Sequence, residues 1–241
     1  MIKRSLLLIC LLPLMVFGQQ QVSKFAFGLQ LKPIVPAAYL NSGNTTYKFD
    51  NYKFNLKPKY GQSLGMIVRY NLSSTFSIET GLNLVNRRYQ LYIENNASNL
   101  SDYSSYSLRS YEIPIQLLSY VRVSEYYFLN ASFGNSLNVF PADIISFGEQ
   151  NDFYFVSTSR RKKIQSAFVA NLGIENRSLT NGIIYVGLSF HRPWKNTARS
   201  FPEYNDGTYT FNEEAPRGNT SKFIDLSGNY LTIDFRYFFL E

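Results

Sequence analysis

The chain has 241 residues, with 24 Lys and Arg against 17 Asp and Glu, a single His and a single Cys. One Cys and one His leave no ligand set for a structural metal and no disulfide framework. With 45% apolar residues, a mean hydropathy of −0.18 and no helix-length apolar run, helical membrane spans are excluded too. The 19 Tyr and 20 Phe, set in stretches without helical periodicity, read as an all-β protein.

Met1 to Gly18 opens on Lys3 and Arg4, runs apolar from Leu6 to Phe17, and ends on Val16 and Gly18 at the positions a signal peptidase reads. Residues 1–18 are therefore expected to be a removed secretory signal peptide, leaving 19–241 as one mature domain. The apolar run is broken by Pro13 and is too short to span as a helix. Cys10 lies inside the discarded segment, so neither a lipid anchor nor thiol chemistry is expected.

Eight stretches then alternate at period two. The first carries Phe25, Phe27, Leu29 and Leu31 against Ala26, Gly28, Gln30 and Lys32; the second Leu64, Met66, Val68 and Tyr70 against Gly65 and Arg69. In the third, Phe76, Ile78, Thr80, Leu82 and Leu84 oppose Ser77, Glu79, Gly81 and Asn83. The fourth begins at Tyr111, the fifth at Tyr127, the sixth at Ile164, the seventh at Ile184 and the eighth at Leu231. Nine tilted residues cover a hydrocarbon band about 25 Å tall. The connections Asn71–Thr75, Arg122–Glu125 and Asn176–Asn181 are short, whereas Pro33–Lys59, Arg87–Ser107, Pro141–Lys162 and Arg192–Asn229 are long and expected to be irregular. That rhythm predicts an eight-stranded antiparallel transmembrane β-barrel with short periplasmic turns, long extracellular loops and both termini periplasmic.

A soluble eight-stranded barrel would turn its apolar face inward. Charge counting favours the opposite: Lys32, Arg69, Lys163 and Arg236 share the polar face with Glu79, Glu112, Glu175 and Asp234, a balanced set that can pair inside a lumen. Tyr70, Phe76, Tyr120, Tyr126, Tyr127, Tyr237 and Phe239 are expected to form the aromatic girdle near the short turns. Pro114 lacks a ladder donor in a fold without free edges, which predicts a bulge with Glu112 turned inward or, alternatively, a lateral seam beside Glu112.

The segment Tyr111–Tyr120, YEIPIQLLSY, resembles the fourth strand of the PorT-like family of outer-membrane β-barrel proteins of Bacteroidota. Gly81–Tyr89 (GLNLVNRRY), Phe128–Val139 (FLNASFGNSLNV) and the aromatic-rich final strand are similar to that family as well. The resemblance implies a non-enzymatic accessory subunit of an envelope assembly, in its namesake the type IX secretion and gliding machinery.

Other chemistry is weighed beside that reading. Ser189 and His191 share a face at the outer end of the seventh strand, the pair a rim lipid-modifying enzyme would need, although a lone rim His is more often structural. Arg160, Arg161 and Lys162 at the outer rim are candidates for lipopolysaccharide phosphates, with Arg87, Arg88, Arg109, Arg192, Lys195 and Arg199 expected near the same level; the alternative is simply a solvated loop. Trp194, Phe201 and Tyr204 in the last long connection are candidate anchors for another envelope protein, a surface adhesin or receptor being a further option; folding back over the barrel mouth is the alternative. No metal-ligand spacing or Gly-rich phosphate cradle is present, so no cofactor is expected; neither nucleic acid nor a small-molecule substrate is expected as partner.

Overall fold

The computed structural model describes residues 24–36, 45–49, 51–95, 99–150, 154–178, 182–204 and 223–239. The expected signal peptide lies outside these residues. They form thirteen strands: β1 (Phe25–Val35), β2 (Thr45–Phe49), β3 (Tyr52–Asn71), β4 (Phe76–Asn95), β5 (Leu100–Arg122), β6 (Tyr127–Val139), β7 (Ile144–Phe147), β8 (Tyr154–Arg160), β9 (Ile164–Ser178), β10 (Gly182–Pro193), β11 (Ala198–Tyr204), β12 (Ile224–Leu226) and β13 (Tyr230–Phe238).

Antiparallel pairing runs from β1 through β3, β4, β5, β6, β9, β10 and β13, and β13 pairs β1 again. Each of these strands contains one of the eight stretches predicted from alternation. The start of β1 faces the end of β3, and Phe239 N–H donates to Phe27 O, so both described ends sit with the short turns. Those turns are tied locally: the Ser73 hydroxyl accepts from Thr75 and Phe76 N–H, and the Arg122 guanidinium donates to Ser124 O and Glu125 O.

Exposure decides which face is inside. On β4, Ser77, Glu79 and Asn83 are buried, whereas Ile78, Leu82 and Leu84 are exposed. On β1, Phe27 and Leu29 are about half exposed while Gln30 and Lys32 are buried. The apolar face therefore points outward, the reverse of a soluble barrel. Six of the seven expected girdle aromatics are exposed; Tyr120 is the exception, buried inward against Leu118 and Phe128.

The long connections correct the prediction. β3, β4 and β5 hold 20, 20 and 23 residues, roughly 70 Å of strand at about 3.4 Å per residue, about twice the slanted path through a 25 Å band. Most of Arg87–Ser107, expected as an irregular loop, is thus ladder. The alternation keeps its phase there, but its chemistry inverts. Beyond Arg87 the inward positions are Tyr89, Leu91 and Ile93 and the outward ones Arg88, Gln90 and Glu94. The inward apolar side packs against a second, four-stranded sheet in the order β12-β11-β8-β7. Their shared core holds Phe54, Leu91, Ile93, Tyr106, Val156 and Ile224. Tyr154 donates to Leu91 O at 3.1 Å, and burial pushes its phenol up, so it remains a donor at any ordinary pH.

Pro114 is also corrected. The β4–β5 register has the same offset on both sides of it, Thr80 facing Ile115 and Asn83 facing Glu112, so no residue is inserted. Instead the ladder lapses at Gly81 and Leu82, opposite Pro114 and Ile113, while pairing to β6 continues through Pro114 and Ser136. The register shift recorded in the ring lies on β3, between Lys59 and Gln62.

Candidate functional site

Because side chains alternate across a strand, every second residue of the ring strands points inward, and register brings the inward charges to one level. Arg69 on β3 faces Glu79 on β4 in register, and its guanidinium meets the Glu79 carboxylate at 2.7 Å and Glu175 on β9 at 3.1 Å. Arg236 on β13 takes the other Glu79 oxygen at 2.7 Å and Asp234 at 2.8 Å. Lys32 lies 3.6 Å from Asp234, and Arg177 closes the other end on Glu175. The result is a chain of alternating sign, Lys32–Asp234–Arg236–Glu79–Arg69–Glu175–Arg177. Such a chain makes burial of this many charges tolerable, because each ion answers a neighbour where solvent does not.

Neutral groups finish the coordination. Ser189 donates to Asp234 at 2.6 Å, Asn130 donates to Glu175, and Asn171 donates to both Ser189 and Asp234. Tyr185 lies beneath the Arg236 guanidinium and donates to Asn171 at 2.7 Å. Its ring occupies space that Gly173 and Gly187 leave open: a Cβ on Gly187 would stand 1.9 Å from the Tyr185 hydroxyl and one on Gly173 2.2 Å.

A second cluster sits toward the long-connection end. Glu112 accepts from Tyr230 at 2.7 Å and from Asn83 at 3.1 Å, and its other near neighbour is His191 Nε2 at 3.2 Å. The His191 ring stacks on Tyr230 with centroids 4.3 Å apart. Arg87, buried here and not at the rim, donates to Gly228 O and Ser110 and lies over Phe140 and Tyr230.

Seven of the eight expected lumen charges are therefore inside, six in the chain and Glu112 in the second cluster. Lys163 is the correction: it precedes β9 in a bend, its backbone carbonyl accepting from Phe140 N–H, and its side chain is exposed. Arg177 takes the cationic place that Lys163 was expected to fill. Arg177 was missed because it adjoins a turn, and Arg87, expected at the rim, is a correction: it lies inward at the polarity inversion. Tyr230, Tyr185 and Asn171 were missed because nothing in a single strand marks a cross-barrel partner.

Ser189 and His191 do share the inward face, but their polar atoms go to different partners. Ser189 serves Asp234, while His191 Nε2 has both Glu112 and the Ser136 hydroxyl at 3.2 Å. A nucleophile and an orienting carboxylate need opposite ring nitrogens; here both lie on Nε2, and Nδ1 has no hydrogen-bond partner among the described residues.

The candidate lipopolysaccharide residues are partly answered by the chain itself. Arg160 donates to Phe140 O and pairs Asp143, Arg161 lies 3.8 Å from Asp225, and Lys162 is exposed. Of the candidate anchors, Trp194 is 65% exposed and donates to Asn135, Phe201 lies on β11 beside Phe223, and Tyr204 ends β11 in register with Tyr154. Tyr209, Phe211 and Pro216 of the same connection lie outside the described residues.

The outward face of the four-stranded sheet carries an apolar patch bordered by Ser157, Glu203, Arg199 and Asp225. Ile145 and Phe147 on β7 are exposed, and Phe155, Phe201 and Phe223 lie half-buried beside them. Register sets Phe147 opposite Phe155 and Ser157 opposite both Ile145 and Phe201. The sheet is tethered to β5 by a bridge between Ser104 and Gly148 and by Glu149 N–H donating to Tyr103 O.

No family model and no curated protein matches this chain. Among solved structures it is similar to the outer membrane protease OmpT from Escherichia coli, at 11% identity, covering 92% of this chain and 100% of that one, with a TM-score of 0.31. An outer membrane channel from Pseudomonas putida F1 is similar at 10% identity, covering 93% of this chain and 100% of that one, with a TM-score of 0.25. The expectation that the protein is not an enzyme is withdrawn, because a protease stands among the structures it resembles. At that identity and TM-score neither an activity nor its absence follows for this chain.

Proposed function

We propose that this protein is an outer-membrane β-barrel that serves as an accessory subunit of a larger envelope assembly. In this reading the ring β1, β3, β4, β5, β6, β9, β10 and β13 spans the membrane around its charge chain. The short turns and both described ends are periplasmic, and the four-stranded sheet is extracellular. The outward apolar belt supports the membrane: Phe27, Leu29, Met66, Ile115, Phe133, Leu172 and Leu188 are each exposed by more than half, on six different strands. Soluble monomers do not carry an apolar patch of that extent. A ring of eight strands is filled by its own side chains, so it supports docking better than free passage of solutes.

The observation that carries the subunit reading is the second apolar surface, that of Ile145, Phe147, Phe155, Phe201 and Phe223. It stands away from the belt, on an element built from loops, and has the aromatic centre with a charged edge, Arg199 with Asp225, that protein interfaces use. The PorT-like resemblance names the specific version, a component of secretion and gliding machinery. The test is purification of the tagged protein in mild detergent from its native outer membrane, beside Ile145→Ser with Phe147→Ser. Recovery of a stoichiometric envelope protein with the wild type and its loss with the variant, at equal barrel yield, is expected. Recovery of the barrel alone, or of the same protein with both, would sink the reading.

A further inference from the structure

Above the apolar belt, the outward faces of β3, β4 and β5 form rows set by register. Leu64, Leu84 and Tyr111 make the last apolar row; Gln62, Asn86 and Arg109 stand next; then Lys59, Arg88 and Ser107; then Lys57, Gln90 and Ser105. Rows on one face of a strand are about 7 Å apart, so Arg109, Lys59 and Arg88 fall within roughly 15 Å of the last apolar row along the strands, and Lys57 stands one row further out. Lys59, Arg88 and Arg109 are exposed, and Lys57 lies 4.2 Å over the Tyr92 ring.

No carboxylate shares these rows. Higher on the same face, Glu94 is held by Lys53 at 2.8 Å; Asp143 is taken by Arg160, and Asp225 by Arg199 and Arg161. Among the described residues, Lys59, Arg88 and Arg109 form no ion pair. The register shift between Lys59 and Gln62 lies beside them, next to a groove of about 460 Å³ whose lining includes Lys59, Tyr60, Arg88, Gln90, Ser105 and Ser107, with the buried Tyr89 and Tyr106 behind them.

We propose that this groove binds the phosphorylated head of an outer-leaflet glycolipid. Arg88 and Lys59 grip a phosphate, Ser105 and Ser107 offer hydroxyl donors, Arg109 meets the head from the hydrocarbon side, and the acyl chains descend over Leu64, Leu84 and Tyr111. Guanidinium suits phosphate because its planar fork donates two parallel charge-assisted bonds. A free phosphate would gain the charges but make no use of the apolar row below. The site rests on the reading of the belt as lipid-facing. It also differs from the Arg160–Lys162 stretch, where two of the three cations already have carboxylates.

The test uses the full chain in phosphatidylcholine nanodiscs, titrated with diphosphorylated lipid A and followed by native mass spectrometry of protein–lipid adducts. Lys59→Gln, Arg88→Gln and Arg109→Gln are combined, with Lys162→Gln as control and each single variant made in case the triple fails to fold. Losing three interfacial cations should weaken lipid A binding roughly a hundredfold. The control should bind as wild type, and dephosphorylated lipid A should bind wild type as weakly as lipid A binds the triple. Equal binding of lipid A by the triple and the wild type overturns the site, as does displacement of lipid A by millimolar inorganic phosphate. A wild-type chain that never enters the nanodisc overturns the membrane reading instead.

Discussion

Glu79 is the hinge of the interior charge chain, and removing its charge is the sharpest perturbation of the fold. Its two oxygens face Arg69 and Arg236 at 2.7 Å each, and all three side chains are essentially inaccessible to solvent. In Glu79→Gln the shape is kept, but two buried guanidiniums lose the anion they share. Breaking one buried pair costs about 3–5 kcal/mol. The loss should be counted nearer once than twice, because Arg69 keeps Glu175 and Arg236 keeps Asp234. With a urea dependence of about 2–3 kcal/mol/M, the unfolding midpoint of the refolded protein in micelles should fall by about 1–2.5 M. Tryptophan fluorescence and gel mobility with and without heating would both report it. Arg236→Gln in the Glu79→Gln background should cost much less than in wild type, since the pair is already broken. A Glu79→Gln midpoint within about 0.2 M of wild type would show that solvent reaches the chain, and would refute the argument from burial.

Other consequences can be checked on the same material. Gly187→Ala should destabilise by about 1–3 kcal/mol, because the added Cβ meets both the Tyr185 hydroxyl and Leu172 O; a Tyr185→Ala background should relieve the first collision and leave the second, and equal loss in both backgrounds removes Tyr185 from the account. Lys32→Met should lower the urea midpoint measurably, whereas Lys163→Met, on an exposed bend, should stay within about 0.5 kcal/mol of wild type. In planar bilayers the wild type should show no stepwise conductance, because its interior is filled; discrete channel openings would contradict that packing.

Alternation in the eight belt stretches was legible because each residue's face follows from parity alone, and so were the inward positions of Arg69, Glu79, Glu175 and Asp234. What parity does not give is register. The partnership of Glu79 with Arg236, far away in sequence, depends on where β13 stops against β1. Nor does Lys163 betray that it precedes its strand by one residue. The extensions of β4 and β5 were misread for a different reason. Tyr89, Leu91 and Ile93 continue the inward phase of Ser77 and Glu79, but the apolar side passes from the outward face to the inward one, so continuity of strand looked like its end. Pro114 misled because a lost donor was expected to force an extra residue. A lapse of two residues in the ladder beside Gly81 accommodated it without one.

If the belt faces lipid, as proposed, that change of sides along β3, β4 and β5 also sets how deep the molecule rides. Pushed inward by one row, about 7 Å, it would carry Lys59 and Arg88 toward hydrocarbon; pulled outward by one row, it would strip lipid from Leu64, Leu84 and Tyr111. A Lys or Arg costs about 0–1 kcal/mol at the interface and about 2–4 kcal/mol at the bilayer midplane, so every step inward is resisted by charge and every step outward by lost burial. On that reading the strands carry their own draught mark, which would hold the four-stranded sheet at a constant height above the bilayer.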